Sequence, residues 1–336
     1  MAARASASSA VVLDNGSGII KVGFAGESTP RVLLPSRGLD GLPSDNRPIS
    51  KGVVKDWDAM EAYWDHAFGQ LRIDTEQCNL LLTTPLFDTK DNKERLMQCL
   101  FETFAVPGVY TSAPAVFELY AAGSENGVVL GCGAECTYSI LVHEGLPDSR
   151  TLVRSDVAGD ALTQHAASVL QQLGGAAVPL AAACKAKESI GFVAANGNGA
   201  LPTDVSSREF ELPDGKKIVV TPAARASMAE PLFDSSLVGH HTCGLPGLVS
   251  ESIKARDRDG ALESTEPGKD GMARINQSTQ SAASLLPVCC HSAAVYHPLD
   301  PLHRALLRVT HGAYRLLIPQ VPRDGIRISS LPAAAV

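Results

Sequence analysis

The first apolar stretch of the chain is interrupted by a short polar turn. The segments "VVLD" (Val11 to Asp14) and "IIKVGF" (Ile19 to Phe24) are rich in β-branched and apolar residues and predict two strands. Between them stands "NGSG", and Asn-Gly is the strongest short hairpin signal because a type I′ turn needs positive φ at both central residues. We therefore predict a β-hairpin, whose turn either is structural alone or holds phosphate.

Helical spacing of apolar residues follows. The segment "DWDAMEAYWDHAF" predicts a helix with four residues on one apolar stripe, namely Trp57, Met60, Trp64 and Ala67. The segment "DNKERLMQCLFETF" predicts a second helix, with Asp91 as its N-cap and an end before Pro107.

A third helix is predicted over "GDALTQHAASVLQQLGG", ending at Gly174 and Gly175. Its predicted apolar stripe consists of Leu162, Ala166, Val169 and Leu173. Short apolar strands such as "NLLLT", "GVVLG" and "YSILV" alternate with these helices. This alternation predicts an α/β fold.

Composition narrows the class of protein. The chain has 336 residues, 45% of them hydrophobic and 19% charged, which is typical of one large or two medium globular domains. A net charge of -7 gives no electrostatic reason to expect nucleic-acid binding, and no apolar run reaches transmembrane length. Residues 1–10 are predicted to be a disordered tail. The eight cysteines lack zinc-like spacing, which indicates reduced thiols.

Several motifs in series resemble the actin and actin-related protein family. The turn "DNGSG" is followed by Lys21 and "GFAG", and then by "PISKGVVKDWDAMEAYW", "SDVAGDALTQH" and "KAKESIGFVA" in family order, up to about Ala255. The resemblance implies an actin-like ATPase fold, with two related ribonuclease-H-like halves around a nucleotide cleft. It places the halves at 11–142 and 143–255, the second being partial, and leaves 256–336 as a divergent, poorly packed segment.

The resemblance also implies which residues contact a nucleotide. From the first turn these are Asp14, Asn15, Gly16, Ser17, Gly18 and Lys21. From the second half they are Gly133 and Thr137, with Gly159 beside the ribose and Lys187 and Glu188 at the base and ribose. The implied cofactor is ATP or ADP with Mg²⁺, bound weakly, and Asp14 is the single metal-facing carboxylate in this set.

The second turn, "GCGAECT" (Gly131 to Thr137), departs from the family pattern. Both expected aspartates are absent, with Gly131 and Ala134 in their places, and hard Mg²⁺ prefers oxygen ligands. Glu135 stands where the family has glycine, so we expect its side chain to obstruct phosphate. Pro114 stands where the family has a water-positioning glutamine, and proline has no group that orients water. We assign no catalytic residue and predict little or no hydrolysis.

Two family segments are reduced or absent. Only "DGLPSDN" (40–46) stands where the family inserts a small subdomain that contacts the next protomer of a filament, so the insertion near 36–48 is reduced. No "GG-T" adenine loop follows Ala255. These features favour a divergent actin-related subunit of a cytoskeletal or chromatin-associated assembly. Its expected partners are actin, other actin-related proteins and assembly subunits, without nucleic acid or membrane, in the cytoplasm or the nucleus. The alternative is an active actin-like ATPase that forms filaments.

Overall fold

Two large β-sheets are central to the fold. This computed structural model describes residues 10–39, 47–194, 205–257 and 292–296. Their strands are β1 (Val11–Asn15), β2 (Ile19–Phe24), β3 (Val32–Pro35), β4 (Ile49–Ser50), β5 (Val53–Val54), β6 (Leu80–Thr83), β7 (Val109–Ser112), β8 (Gly127–Cys132), β9 (Thr137–His143), β10 (Leu146–Pro147), β11 (Val153–Ser155), β12 (Arg208–Glu211), β13 (Lys217–Val220) and β14 (Ser292–Tyr296). Their α-helices are α1 (Trp57–Leu71), α2 (Lys90–Gln98), α3 (Pro114–Ala121), α4 (Gly159–Gly174), α5 (Leu180–Ile190), α6 (Pro222–Ser227) and α7 (Leu245–Asp257).

The first sheet has the strand order β3-β2-β1-β6-β7. The strands β1 and β2 form the predicted antiparallel hairpin, whereas β6 runs parallel to both β1 and β7. Helix α1 lies in the crossover between β2 and β6 and buries its predicted stripe, with Met60, Trp64 and Ala67 fully inaccessible. Burial of this stripe against the sheet gives the first half its core.

The second sheet has the order β10-β9-β8-β14, and β11 also pairs with β9. The strands β8 and β9 are antiparallel and present Val128, Leu130 and Leu141 to Leu162 of α4 and Val249 of α7. Strand β14 pairs antiparallel with β8. This strand lies in the segment 256–336, which the sequence predicted to be divergent and poorly packed.

Helix α3 connects the two sheets. Its residues Ala115, Val116 and Leu119 pack in one cluster with Val129 of β8 and Ile140 of β9. The chain therefore passes from the first sheet to the second through a buried helix. Mixed sheets covered by helices confirm the predicted α/β, actin-like class.

Three local predictions need correction. Neither Asn15 nor Gly16 has positive φ, so the hairpin does not close with a type I′ turn. Instead the Gly16 N–H donates to the Asp14 carbonyl at 3.1 Å, and a β-carbon on Gly16 would collide with the Ile19 carbonyl oxygen. Glycine is thus required here by close backbone approach.

The second and third corrections concern helices. The N-cap of α2 is Thr89, whose hydroxyl accepts from the Asn92 N–H at 3.2 Å, because this threonine already has the extended backbone that an N-cap needs. In α4 the buried stripe continues through Leu170, while Leu173 is 42% exposed. The predicted end of α4 holds, since Gly175 caps it in the left-handed conformation, whereas α2 ends at Gln98 and the chain continues as a π-helix over Cys99–Thr103, before Pro107.

Several predicted segments lie outside the described residues. They are 1–9 of the N-terminal tail, 40–46 of the reduced insertion, and 258–291 and 297–336 of the C-terminal segment. None of the helices within the described part of the chain is long and apolar enough to span a membrane.

Candidate functional site

The first turn presents a carboxylate that is held on both of its oxygens. Asp14 lies near the end of strand β1, and its Oδ2 accepts from Lys21 Nζ at 2.7 Å. Its Oδ1 accepts from the Thr83 hydroxyl at 2.6 Å, a partner on β6 that sequence reasoning missed. Since Lys21 is only 8% exposed, this ion pair lies within the protein rather than on its surface.

Neighbouring elements hold the rest of the first turn in place. The Ser36 hydroxyl donates to the Gly16 carbonyl at 2.5 Å, and Ser17 Oγ accepts from the Gly52 N–H at 3.2 Å. The indole N–H of Trp64 donates to Asn15 Oδ1 at 3.1 Å, which ties the turn to the core of the first half. The turn geometry therefore depends on α1 and on the β4–β5 ribbon.

The second turn joins β8 to β9 and rests on the N-terminus of α4. The Gly133 N–H donates to the Cys136 carbonyl at 2.9 Å and closes the turn. The N–H groups of Gly159 and Asp160 donate to the carbonyls of Gly133 and Ala134 at 3.0 and 2.6 Å. These two helix donors are thus satisfied by the turn.

The two turns face each other across one cleft, as the sequence predicted. The cleft measures about 1010 Å³, part of it open to solvent. A β-carbon built on Gly18 would lie only 2.8 Å from Ala134 Cβ, so the turns touch at this point. The predicted site residues in its lining are Asp14, Asn15, Gly16, Ser17, Gly18, Lys21 and Gly133.

The part of the second turn that lines the cleft offers no side-chain oxygen to a hard cation. Its residues in the cleft lining are Gly131, Cys132, Gly133, Ala134 and Cys136. Burial raises the pKa of the Cys136 thiol to about 11, so this thiol is neutral, and thiols are soft ligands in any case. Within the described ranges, no three His, Cys, Asp or Glu side chains come together in a way that could hold a metal ion. The residues present do not fit the Mg²⁺ that the family resemblance implies.

The Glu135 side chain does not project into the cleft, where the sequence predicted that it would obstruct phosphate. Its carboxylate is outside the cleft lining and forms an ion pair with Arg47, and its Oε2 accepts from the Lys51 N–H at 2.6 Å. Arg47 also pairs with Asp160 at 2.7 Å, and Arg37 reaches the same Asp160 oxygen at 3.0 Å. The expected obstruction of phosphate by Glu135 is therefore wrong: its side chain instead joins the two halves beside the cleft.

A buried carboxyl group in the cleft was missed by sequence reasoning. Glu118 on α3 lies one helical turn beyond Pro114, is 9% exposed and lines the cleft with Asp14. Burial, with a smaller contribution from the Asp14 charge, raises the pKa of Glu118 to about 8. The Tyr138 hydroxyl donates to Glu118 Oε2 at 3.4 Å. The i, i+4 spacing from Pro114 was the one sequence signal that could have placed Glu118 here.

The remaining predicted residues do not line this cleft. Thr137 is buried, and its hydroxyl donates to the Val157 carbonyl at 2.8 Å. Gly159 begins α4, and its carbonyl accepts from Lys187 Nζ at 3.0 Å. Lys187 is fully buried between α4 and α5, and Glu188 is exposed on α5. The structure thus brings the two turns together at the cleft, whereas Gly159 and Lys187 bond to each other behind the second turn and Glu188 lies on the surface.

The amino-acid sequence of this chain is similar to that of a known protein family. A sequence profile of the family described as "Actin" matches residues 5–38 and 41–182. A curated "Actin-like protein" of Neurospora crassa is 32% identical over 286 residues, which is 74% of this chain and 75% of the relative. The family match includes the first turn, the second turn and α3.

Proposed function

Since the chain belongs to the actin family, we propose that it is a divergent actin-related subunit that acts through protein contacts. In this proposal the nucleotide site is degenerate, hydrolysis is at or near background, and the partners are actin, other actin-related proteins or the subunits of a cytoskeletal or chromatin-associated assembly. Cytoplasmic location in the cytoskeleton, with the nucleus as the other compartment, is part of the same proposal.

The observation that carries the proposal is the unequal state of the two turns. The first turn keeps an ordered Asp14, Ser17 and Lys21, which suits a phosphate group. The second turn faces it with Gly131 and Ala134 in place of acids, and Pro114 stands at the start of α3. Family members generally bind a nucleotide with Mg²⁺, and hydrolysis needs a positioned water and charge stabilisation. Pro114 supports neither requirement, which favours the contact role over turnover.

Phosphate release tests the enzymatic side of this proposal. The purified full chain and its Asp14→Ala variant are incubated with ATP and Mg²⁺, and released phosphate is measured against a protein-free blank. We expect both proteins to match the blank. Robust release that disappears in Asp14→Ala would establish the alternative, an active ATPase.

Complex formation tests the contact role. Purified chain is mixed with purified monomeric actin and followed by sedimentation velocity, with serum albumin in place of actin as the control. We expect a faster-sedimenting species with actin alone. If the chain sediments as a free monomer both with actin and with purified actin-related proteins, the contact role is refuted.

A further inference from the structure

We propose that the Tyr138–Glu118 pair fills the space where a second-turn acid would face a cation, so that nucleotide binding in the cleft does not depend on Mg²⁺. This inference rests on the proposed function and specifies the ligand class of the same site. The family would place a second-turn acid at the position of Gly131. Here the chain's own side chains occupy that space.

The Tyr138 ring occupies the space into which a side chain at position 131 would project. Gly131 on β8 is paired with Tyr138 on β9, and both line the cleft. A β-carbon built on Gly131 would lie 2.5 Å from Tyr138 Cζ and 2.8 Å from its hydroxyl oxygen. Real β-carbons essentially never approach other atoms under 3.0 Å. The ring therefore stands where a metal-facing carboxylate would have to project.

The Tyr138 ring is anchored rather than free to swing away. It packs against the buried cluster formed by α3, β8 and β9, which includes Ala115 and Ile140. Its hydroxyl donates to Glu118 Oε2 on α3 at 3.4 Å. A ring packed against such a cluster costs more to displace than a solvent-exposed side chain.

The charges around the pair do not attract a divalent cation. Asp14 already shares its negative charge with Lys21 at 2.7 Å, so these two groups are together neutral. Glu118 lies near this pair, and its Oε2 accepts from the Tyr138 hydroxyl at 3.4 Å. Mg²⁺ prefers anionic oxygens, and the Asp14–Lys21 pair offers it no net negative charge.

The steric part of the proposal is tested by thermal unfolding without any ligand. Gly131→Ala should lower Tm, because its methyl group meets the Tyr138 ring. The double variant Gly131→Ala/Tyr138→Ala should recover most of that loss relative to Tyr138→Ala alone, as coupled neighbours do. Equal effects of Gly131→Ala in the two backgrounds would overturn the packing argument.

The independence of nucleotide binding from Mg²⁺ is tested by calorimetric titration of ADP and ATP, each with Mg²⁺ and with EDTA. For the wild-type chain we expect ADP to bind at least as tightly as ATP, and Mg²⁺ to change either Kd by less than about threefold. Gly131→Asp/Tyr138→Ala restores an acid and space, and should make ATP binding depend on Mg²⁺ by about tenfold or more.

The outcomes separate this inference from the proposed function. Three results would each overturn the inferred independence from Mg²⁺. They are strong Mg²⁺ dependence in the wild-type chain, no gain of Mg²⁺ dependence in the double variant, and no nucleotide binding by either protein. None of these results alters the actin-contact measurement. Conversely, a chain that forms no assembly complex but binds ADP without metal would refute the proposed contact role. The inferred independence of nucleotide binding from Mg²⁺ would still hold.

Discussion

Arg47 and Glu135 form an ion pair although 88 positions separate them along the chain. Arg47 directly precedes the β4–β5 ribbon of the first half, and Glu135 lies in the second turn. Their side chains are only 21% and 14% exposed. This pair therefore couples the first half to the turn that forms the far wall of the cleft.

Removal of this pair should weaken the junction between the halves. We expect Glu135→Ala to lower the free energy of unfolding by about 1 to 2 kcal/mol, since hydrogen bonds to partly buried charged groups are worth more than surface pairs. Glu94→Ala is the matched control, because its pair with Lys90 is exposed, and it should cost about 0.5 kcal/mol or less. Urea unfolding followed by tryptophan fluorescence measures both, and equal losses would contradict the assigned role of the pair.

The raised pKa of Glu118 predicts a pH-dependent loss of stability. Between its ordinary pKa of 4.5 and the folded-state value of about 8, the unfolded chain releases a proton that the folded chain keeps. Stability is therefore fully present below pH 4.5 and falls by about 1.4 kcal/mol per pH unit as the pH rises to about 8. The charged or titratable groups facing Glu118 are Asp14, Lys21 and Tyr138.

Glu118→Gln isolates this contribution because the amide has nearly the same shape and does not titrate in this range. We expect the variant to be more stable than the wild-type chain at pH 8 and similar to it near pH 5. Thermal unfolding at several pH values measures the difference. A variant whose stability follows the wild-type curve in parallel across this range rules out the raised pKa.

Trp64 should be a main support of both the first core and the first turn. It is fully buried, makes edge contacts with Trp57 and Phe104 at ring-centroid distances of 6.5 and 6.0 Å, and donates to Asn15. Trp64→Ala should cost about 3 to 5 kcal/mol through the cavity it leaves. Asn15→Ala, which removes only the hydrogen bond, should cost about 1 kcal/mol. Circular dichroism during thermal unfolding distinguishes them.

Lys187 should contribute to stability rather than to nucleotide affinity. Its ammonium group donates to the Gly159 carbonyl and the Thr163 hydroxyl, each at 3.0 Å, in a fully buried position. Lys187→Ala leaves these acceptors without that donor and should cost about 1 to 3 kcal/mol. Lys185→Ala on the exposed side of the same helix is the control and should be near neutral. A fall in ADP affinity without a fall in Tm would instead support the adenosine contact implied by the family.

Local patterns were sufficient for much of the fold. The stripe through Met60, Trp64 and Ala67 predicted α1, and the apolar runs around "NGSG" predicted the hairpin, because these elements follow from periodicities of 3.6 and 2 residues. The family resemblance then placed the two turns on opposite sides of one cleft. Pro114 occupies the first position of α3, where proline fits without losing a hydrogen bond.

Side-chain destinations depended instead on contacts between residues far apart in the chain. Glu118 belongs to the segment "AVFELY", in which a glutamate usually faces solvent, and the packing of α3 against the second sheet, beside the cleft, buries it. The path of Glu135 towards Arg47, the Tyr138 ring in the space beside Gly131 and the burial of Lys187 have the same origin. Periodicity assigns a residue to one face of a helix or strand. The residue that it contacts on that face depends on long-range packing, which the local sequence does not determine.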